Sequence, residues 1–421
     1  MHWPLNSSAT DSMENSNKKT GLYIHIPFCV KKCNYCAFLS FPADESPRAE
    51  YTDALINEIR MRSAGQEKIR LDTVYIGGGT PSVLDVSQLS RIIKAVRQYY
   101  DVAPEAEITL EANPGTLGKK DVVTRTKLIA YRSMGINRLS MGVQSMDNDR
   151  LHFMGRIHTP GDVARDMRLA REMGFDNINL DLIFSVPGEN TEDALDDARR
   201  IIGLGPEHIS CYSLQMEEGT PFYEMAERGD ITEVPDEEDR ETYHRICDLL
   251  KEAGYGHYEI SNFALTGKRS QHNSLYWNMD DYIGCGLGAS GFVYGTRYRN
   301  TADMKEYIDH YSILFDDEKC EDGGSTPYEE VHRNSPFDNI SEAVFTGLRR
   351  AEGISFEDAL RAYGIGYPGM DASEKFWMIF SDAETEARSY AENGFLIIDD
   401  TGLRLTEKGI DISNGIMSLF V

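Results

Sequence analysis

The chain has 421 residues, 41% of them hydrophobic, and a formal net charge of −26. That acidity excludes a general nucleic-acid binder, which needs clustered Lys and Arg to release counterions from phosphates, and no apolar run approaches the roughly 18 residues of a membrane span. The length allows two or three folding units, and the 7 cysteines are too few for a disulfide scaffold, although three of them crowd between positions 29 and 36.

The opening MHWPLNSSATDSMENSNKKT, residues 1–20, has neither a basic start nor an apolar stretch and reads as a disordered tail without an export signal. A cytoplasmic protein is expected, with peripheral association as the closest approach to a membrane. From 21 to 215, short apolar runs (YIHI, TVYI, EITLE, RLSMG, INLDLIF, HISCYSL) alternate with helical patterns such as DALINEIRMRSA. This rhythm predicts an α/β fold, an incomplete (β/α)6 barrel open on one side. Residues 216–315 hold the helical pattern PDEEDRETYHRICDLLKEAGYGHY and a Gly-rich, aromatic-rich stretch expected to continue the sheet or cap the opening. Residues 316–335 are acidic and rich in turn formers and predict a linker. Residues 336–421 predict a small C-terminal domain, mainly helical and winged-helix-like, ending in the strand pair GFLIIDD and GLRLTEKG.

In IHIPFCVKKCNYCAF, directly after the first predicted strand, Cys29, Cys33 and Cys36 are spaced C-x3-C-x2-C. Three thiolates on a [4Fe-4S] cluster leave one iron open to a small molecule; a structural zinc site is the alternative and needs a fourth ligand. The turn GGGTPS, containing Gly78, Gly79 and Thr80, follows the second strand, where small residues let the backbone approach a ligand or simply make a tight turn. Glu111 ends the third strand, Gln144 follows the fourth and Asp181 lies in the fifth. With Arg156 in MGRIHT, they place polar groups at the C-terminal rim, where barrels carry their sites. The glycines of IGCGLGAS lack the strand-turn-helix setting of a dinucleotide site. Cys211, Cys247, Cys285 and Cys320 are scattered and read as ordinary thiols.

The cysteine spacing after strand one, with Tyr35 before the third cysteine, resembles the radical S-adenosylmethionine enzymes. That resemblance implies a [4Fe-4S] cluster on Cys29, Cys33 and Cys36, with S-adenosylmethionine on the open iron. It implies cofactor contacts from Tyr23, Tyr35, Gly78, Gly79, Thr80, Glu111, Gln144, Arg156 and Asp181. One departure stands in FSVPG, where Ser185 replaces the usual glycine of relatives.

YIHIPFC, HNSLYW and LTEKG together are similar to the coproporphyrinogen oxidase group and its heme-chaperone relatives, over residues 21–421. The oxidases typically carry another cysteine two positions after the third; here that residue is Phe38, and the chain resembles the chaperone branch. His272, Asn273, Tyr276 and Trp277 form the H-N-x-x-Y-W pattern that this resemblance links with heme. An imidazole can ligate heme iron while Tyr and Trp supply a flat wall, and a packed aromatic cluster around a satisfied histidine is the alternative. Ser290 stands where chaperone relatives usually have a histidine. The expected function is a heme chaperone that delivers heme to an apo-hemoprotein of the respiratory chain, with no residue assigned a catalytic role. The alternatives are an oxygen-independent coproporphyrinogen III oxidase, working by radical oxidative decarboxylation, or another radical tetrapyrrole enzyme. The resemblance also allows a homodimer.

Overall fold

The computed structural model describes residues 18–42, 45–63, 67–312, 326–364, 366 and 369–421. Most of the expected tail 1–20 and the first part of the expected linker, with Cys320, lie outside the described residues. Six parallel strands, Thr20–Ile26, Arg70–Gly78, Asp101–Ala112, Arg138–Gln144, Ile178–Phe184 and His208–Ser213, stand side by side in chain order, as the βα rhythm predicts. Their side chains are buried on both faces, all seven in Arg138–Gln144, because helices cover a parallel sheet outside and the barrel interior fills it inside. The outer helices begin where short polar side chains take up free backbone N–H groups. Thr159 with Asp162 and Asn190 with Asp193 form reciprocal caps at helices Pro160–Glu172 and Thr191–Gly203.

Residues 216–315 extend the sheet at both edges. The hairpin Gly256–Glu259 and Asn262–Ala264 adds antiparallel to the sixth barrel strand. Asp281–Cys285 joins the first strand in parallel, followed by antiparallel Ser290–Val293 and Thr296–Asn300. The link between these edges contains the short helix Gln271–Trp277, which packs against the first two barrel strands. The expected linker ends differently: Tyr328–Arg333 is an edge strand paired with Thr296–Asn300, since alternate residues there can join a ladder despite their charge. Thr20 likewise belongs to the first strand, its N–H donating to Asp72 Oδ2 at 2.9 Å.

A second core gathers around Phe356, Phe376, Trp377, Phe380 and Phe420 of the C-terminal region and takes in Met279 and Phe292 from the sheet extension. A three-stranded antiparallel sheet, Ile354–Ser355, Gly402–Leu405 and Leu396–Ile398, lies against its helices, consistent with the winged-helix-like expectation. Among the described residues, no helix is long and apolar enough to cross a membrane.

A buried ion pair ties the sheet extension to the first helix, Glu45–Arg62. Arg62 Nε donates to Glu58 Oε1 at 2.6 Å, with both side chains fully enclosed. Arg62 also donates to Asn300 and Tyr328, while Glu58 accepts from Tyr307 and from the Gly286 N–H. Removing one partner of such a pair leaves an uncompensated buried charge. Glu58→Ala is expected to destabilise the fold by about 3–5 kcal/mol, read as a lower urea midpoint.

Candidate functional site

The C-terminal ends of the barrel strands open into a cavity of about 510 Å3, lined by Cys29, Cys33, Tyr35, Cys36, Gly78, Gly79, Thr80, Glu111, Gln144, Arg156 and Asp181. The three cysteines are free and half-buried. Their loop is bolted to distant chain: Asn34 N–H donates to Met154 O at 3.0 Å, and Asn34 O accepts from Phe222 N–H at 2.9 Å. Arg156 Nη1 donates to Cys33 Sγ at 3.4 Å and Thr80 Oγ1 to Cys29 Sγ at 3.6 Å, so two of the sulfurs already face donors suited to thiolate.

The GGGTPS turn is closer to the cysteine loop than an ordinary turn requires. Gly79 N–H donates to Ile26 O and Thr80 N–H to Phe28 O, each at 2.8 Å. A Cβ on Gly79 would sit 2.8 Å from both carbonyl oxygens, and Gly78 has φ +106°, a conformation that favours glycine.

Glu111 is half-buried in the cavity wall. Tyr75 OH donates to its Oε1 at 2.7 Å and Gly78 N–H to its Oε2 at 3.0 Å. Burial pushes its carboxyl up to about 7, with nearby Asp181 adding to the shift and the Tyr75 hydrogen bond opposing it. Burial also raises Asp181, against the hydrogen bond from Asn179 Nδ2 at 2.7 Å. Gln144 has φ 70°, and its buried Oε1 has no hydrogen-bond partner. Arg156 is held by Asn113 Oδ1 at 2.6 Å and by the Gly142 carbonyl.

Sequence reasoning missed Asn113, Tyr75, Arg138 and Asn179, which line the same cavity. Asn113 bridges the rim to the glycine turn, accepting from Arg156 through Oδ1 and donating to Thr80 Oγ1 through Nδ2 at 2.8 Å. It stands two positions after Glu111, and that even spacing along the strand's end was the available signal.

Of the heme-linked motif, only Asn273 lines the cavity. His272 is buried, its Nδ1 bonded to Thr73 Oγ1 at 2.7 Å and its Nε2 to Tyr276 OH at 2.8 Å. Burial and the charge of Arg138 push the imidazole down to about 3, so it is neutral. Trp277 lies under Arg349 of the C-terminal region, whose guanidinium carbon is 4.6 Å from the indole centre. Tyr23, unlike the other expected cofactor contacts, does not line the cavity; its hydroxyl lies 2.8 Å from His25 Nδ1. Ser290 is exposed.

Free thiols beside hydrogen-bond donors, a glycine turn that a Cβ would obstruct, and an orphaned amide oxygen suit a sulfur-bound cluster with a polar ligand above it. Among the described residues, no three His, Cys, Asp or Glu side chains gather as ligands of one metal ion.

Residues 23–201 match the Radical SAM superfamily, and residues 334–412 match the HemN C-terminal domain. The structure is similar to that of the Escherichia coli radical SAM enzyme coproporphyrinogen III oxidase (HemN), with a TM-score of 0.79 over 96% of this chain and 90% of that one, at 22% identity. Barrel, cysteine loop and matched superfamily define the class: this is a radical SAM protein. The heme chaperone HemW of Bacillus subtilis is 34% identical over 95% of this chain and 98% of that protein. HemW of E. coli is 40% identical over 65% of this chain and 70% of that protein. The chain belongs to the HemW family.

Ser185 has φ 60°, which explains why glycine suits this position. Its hydroxyl donates to Asp239 Oδ1 at 2.6 Å, offsetting the backbone strain. Ser185→Ala keeps the strain and loses the bond, so it should destabilise by about 1–3 kcal/mol in urea unfolding, whereas Ser185→Gly should stay within about 1 kcal/mol of the parent because relief and loss oppose.

Glu111 keeps its proton to about 7 when folded, against an ordinary 4.5, so ionisation in the unfolded chain alone subtracts stability as pH rises from 4.5 towards 7. That contribution changes by about 1.4 kcal/mol per pH unit at most. Glu111→Gln should flatten the decline of ligand-free stability over this interval, measured by denaturant unfolding at a series of pH values.

Proposed function

We propose that this protein is a heme chaperone that carries a [4Fe-4S] cluster on Cys29, Cys33 and Cys36 and S-adenosylmethionine above it, and passes heme to an apo-hemoprotein of the respiratory chain in the cytoplasm. The observation carrying this reading is the alignment with HemW proteins along nearly the whole chain, together with Phe38 at the position where the oxidase branch would offer a further thiol.

Glu111, Gln144, Asp181 and the Gly78–Gly79 backbone are suited to the amino, carboxylate and ribose groups of the cofactor, since they offer acceptors and donors inside a shielded cavity. Arg156 holds positive charge against Cys33 and Asn113, and so orients the loop and the rim together. When bound, the reduced cluster would supply the electron for cleavage of the sulfonium.

The mouth of the cavity supports heme as cargo. Phe38 is 70% exposed and Val30 56% exposed on the cysteine loop, with Lys31 and Lys32 beside them. Exposed apolar side chains flanked by cations fit a flat macrocycle carrying two propionates. His272 is less suited as an axial ligand, because both its ring nitrogens are engaged inside the barrel.

The test is anaerobic reconstitution with iron and sulfide, then heme titration followed by the Soret band, then transfer to an apo-cytochrome. Stoichiometric binding is expected, weakened at least about tenfold (about 1.4 kcal/mol) by Phe38→Asp combined with Lys31→Glu and Lys32→Glu. Absence of heme binding, with protoporphyrinogen formed from coproporphyrinogen III, would sink the chaperone reading in favour of the oxidase.

A further inference from the structure

The helix Gln271–Trp277 crosses from one edge of the extended sheet towards the other and presses His272 into the barrel. Its start is anchored from inside: Glu107 Oε1, on the third barrel strand, accepts the N–H groups of Gln271 at 3.0 Å and His272 at 3.2 Å. The first strand yields space for it. A Cβ on Gly21 would lie 2.5 Å from Leu275 Cδ1 and 3.1 Å from His272 Cε1.

Two lines of contact leave the His272 ring for the cofactor cavity. The ring stacks on Tyr75 at 5.1 Å between centres with 27° between planes, and Tyr75 OH holds Glu111 Oε1 at 2.7 Å. The ring also lies 6.5 Å from that of Tyr23, whose hydroxyl meets His25 Nδ1; His25 Nε2 in turn is bonded to the Leu39 carbonyl at 2.9 Å, just beyond the third cysteine. His272 itself cannot turn freely, because Thr73 and Tyr276 hold its two nitrogens. A neutral imidazole donates through one nitrogen and accepts through the other, which matches two hydroxyl partners.

We propose that His272 is a positioning residue of the cofactor cavity, acting through Tyr75 on Glu111 and through Tyr23 and His25 on the cysteine loop, and that it does not ligate heme iron. The H-N-x-x-Y-W segment is then the floor of the S-adenosylmethionine site: Tyr276 locks His272, Asn273 reaches the cavity, and Trp277 receives the C-terminal region. This rests on the reading that Glu111 faces S-adenosylmethionine.

The test uses full-length, anaerobically reconstituted protein, with S-adenosylmethionine affinity from equilibrium dialysis and heme ligation from the Soret position. His272→Ala should weaken S-adenosylmethionine binding about tenfold or more, and His272→Gln, which keeps one donor and one acceptor, should recover most of it. Tyr75→Phe should also weaken binding, and the double variant with His272→Ala should be no more than about twofold worse than the weaker single variant, because both act on Glu111. The Soret position should be that of the parent in every variant. A shifted or lost Soret band in both His272 variants with unchanged S-adenosylmethionine affinity would overturn the proposal, as would additive effects of the two substitutions. Failure of the parent itself to bind S-adenosylmethionine would instead remove the reading on which the proposal rests.

Discussion

Parallel pairing of the strand Thr20–Ile26 on both of its sides is the constraint from which the rest of the molecule follows. On one side it meets Arg70–Gly78, and on the other Asp281–Cys285, returned from far along the chain. Parallel neighbours cannot be joined by a tight turn, so each needs a crossover of a dozen residues or more. The second pairing therefore brings the whole segment after the sixth barrel strand back across the sheet. It carries Gln271–Trp277 against Gly21 on the way, and it aims the end of the first strand, with the cysteine loop, at the cavity.

The cavity is built around buried polar groups whose burial costs free energy unless each finds a partner. Most do so with one another. Thr80, Asn113, Arg156 and Cys33 form a continuous chain of hydrogen bonds from the glycine turn to the cysteine loop. Glu111 is braced by Tyr75 and Gly78, and still lies in surroundings that favour its neutral form. The amide oxygen of Gln144 is left without a partner at a backbone angle unusual for its residue type. Polar groups held rigidly and left partly unsatisfied are what a cavity offers to a ligand that brings complementary charge.

The two regions of the chain are coupled where the heme-linked motif meets the C-terminal region. Arg349 covers Trp277, Arg350 Nη1 donates to Asn278 Oδ1 at 2.8 Å, and Arg297 pairs with Glu342. Through Tyr276 and His272 this junction is in contact with the floor of the cavity. The C-terminal region thus buttresses the segment that supports Glu111, and its aromatic core, distinct from that of the barrel, includes Met279 and Phe292 of the sheet extension.

Sequence alone determined the elements whose code is local. Strand positions follow from short apolar runs between helical patterns, and the three cysteines are legible because their ligand set lies within one short loop after one strand. Glu111, Gln144, Arg156 and Asp181 could be placed at the rim because strand ends define it. The tertiary structure decided what depends on contacts distant in sequence: that residues 216–315 extend both edges of the sheet, that Tyr328–Arg333 is a strand, and that Asn113 bridges Thr80 and Arg156. It also decided the surroundings of His272, whose partner Thr73 is 199 residues away. Spacing reports which residues can lie on one face of an element, but whether an imidazole keeps a free nitrogen depends on the hydroxyl groups that the folded chain brings to it.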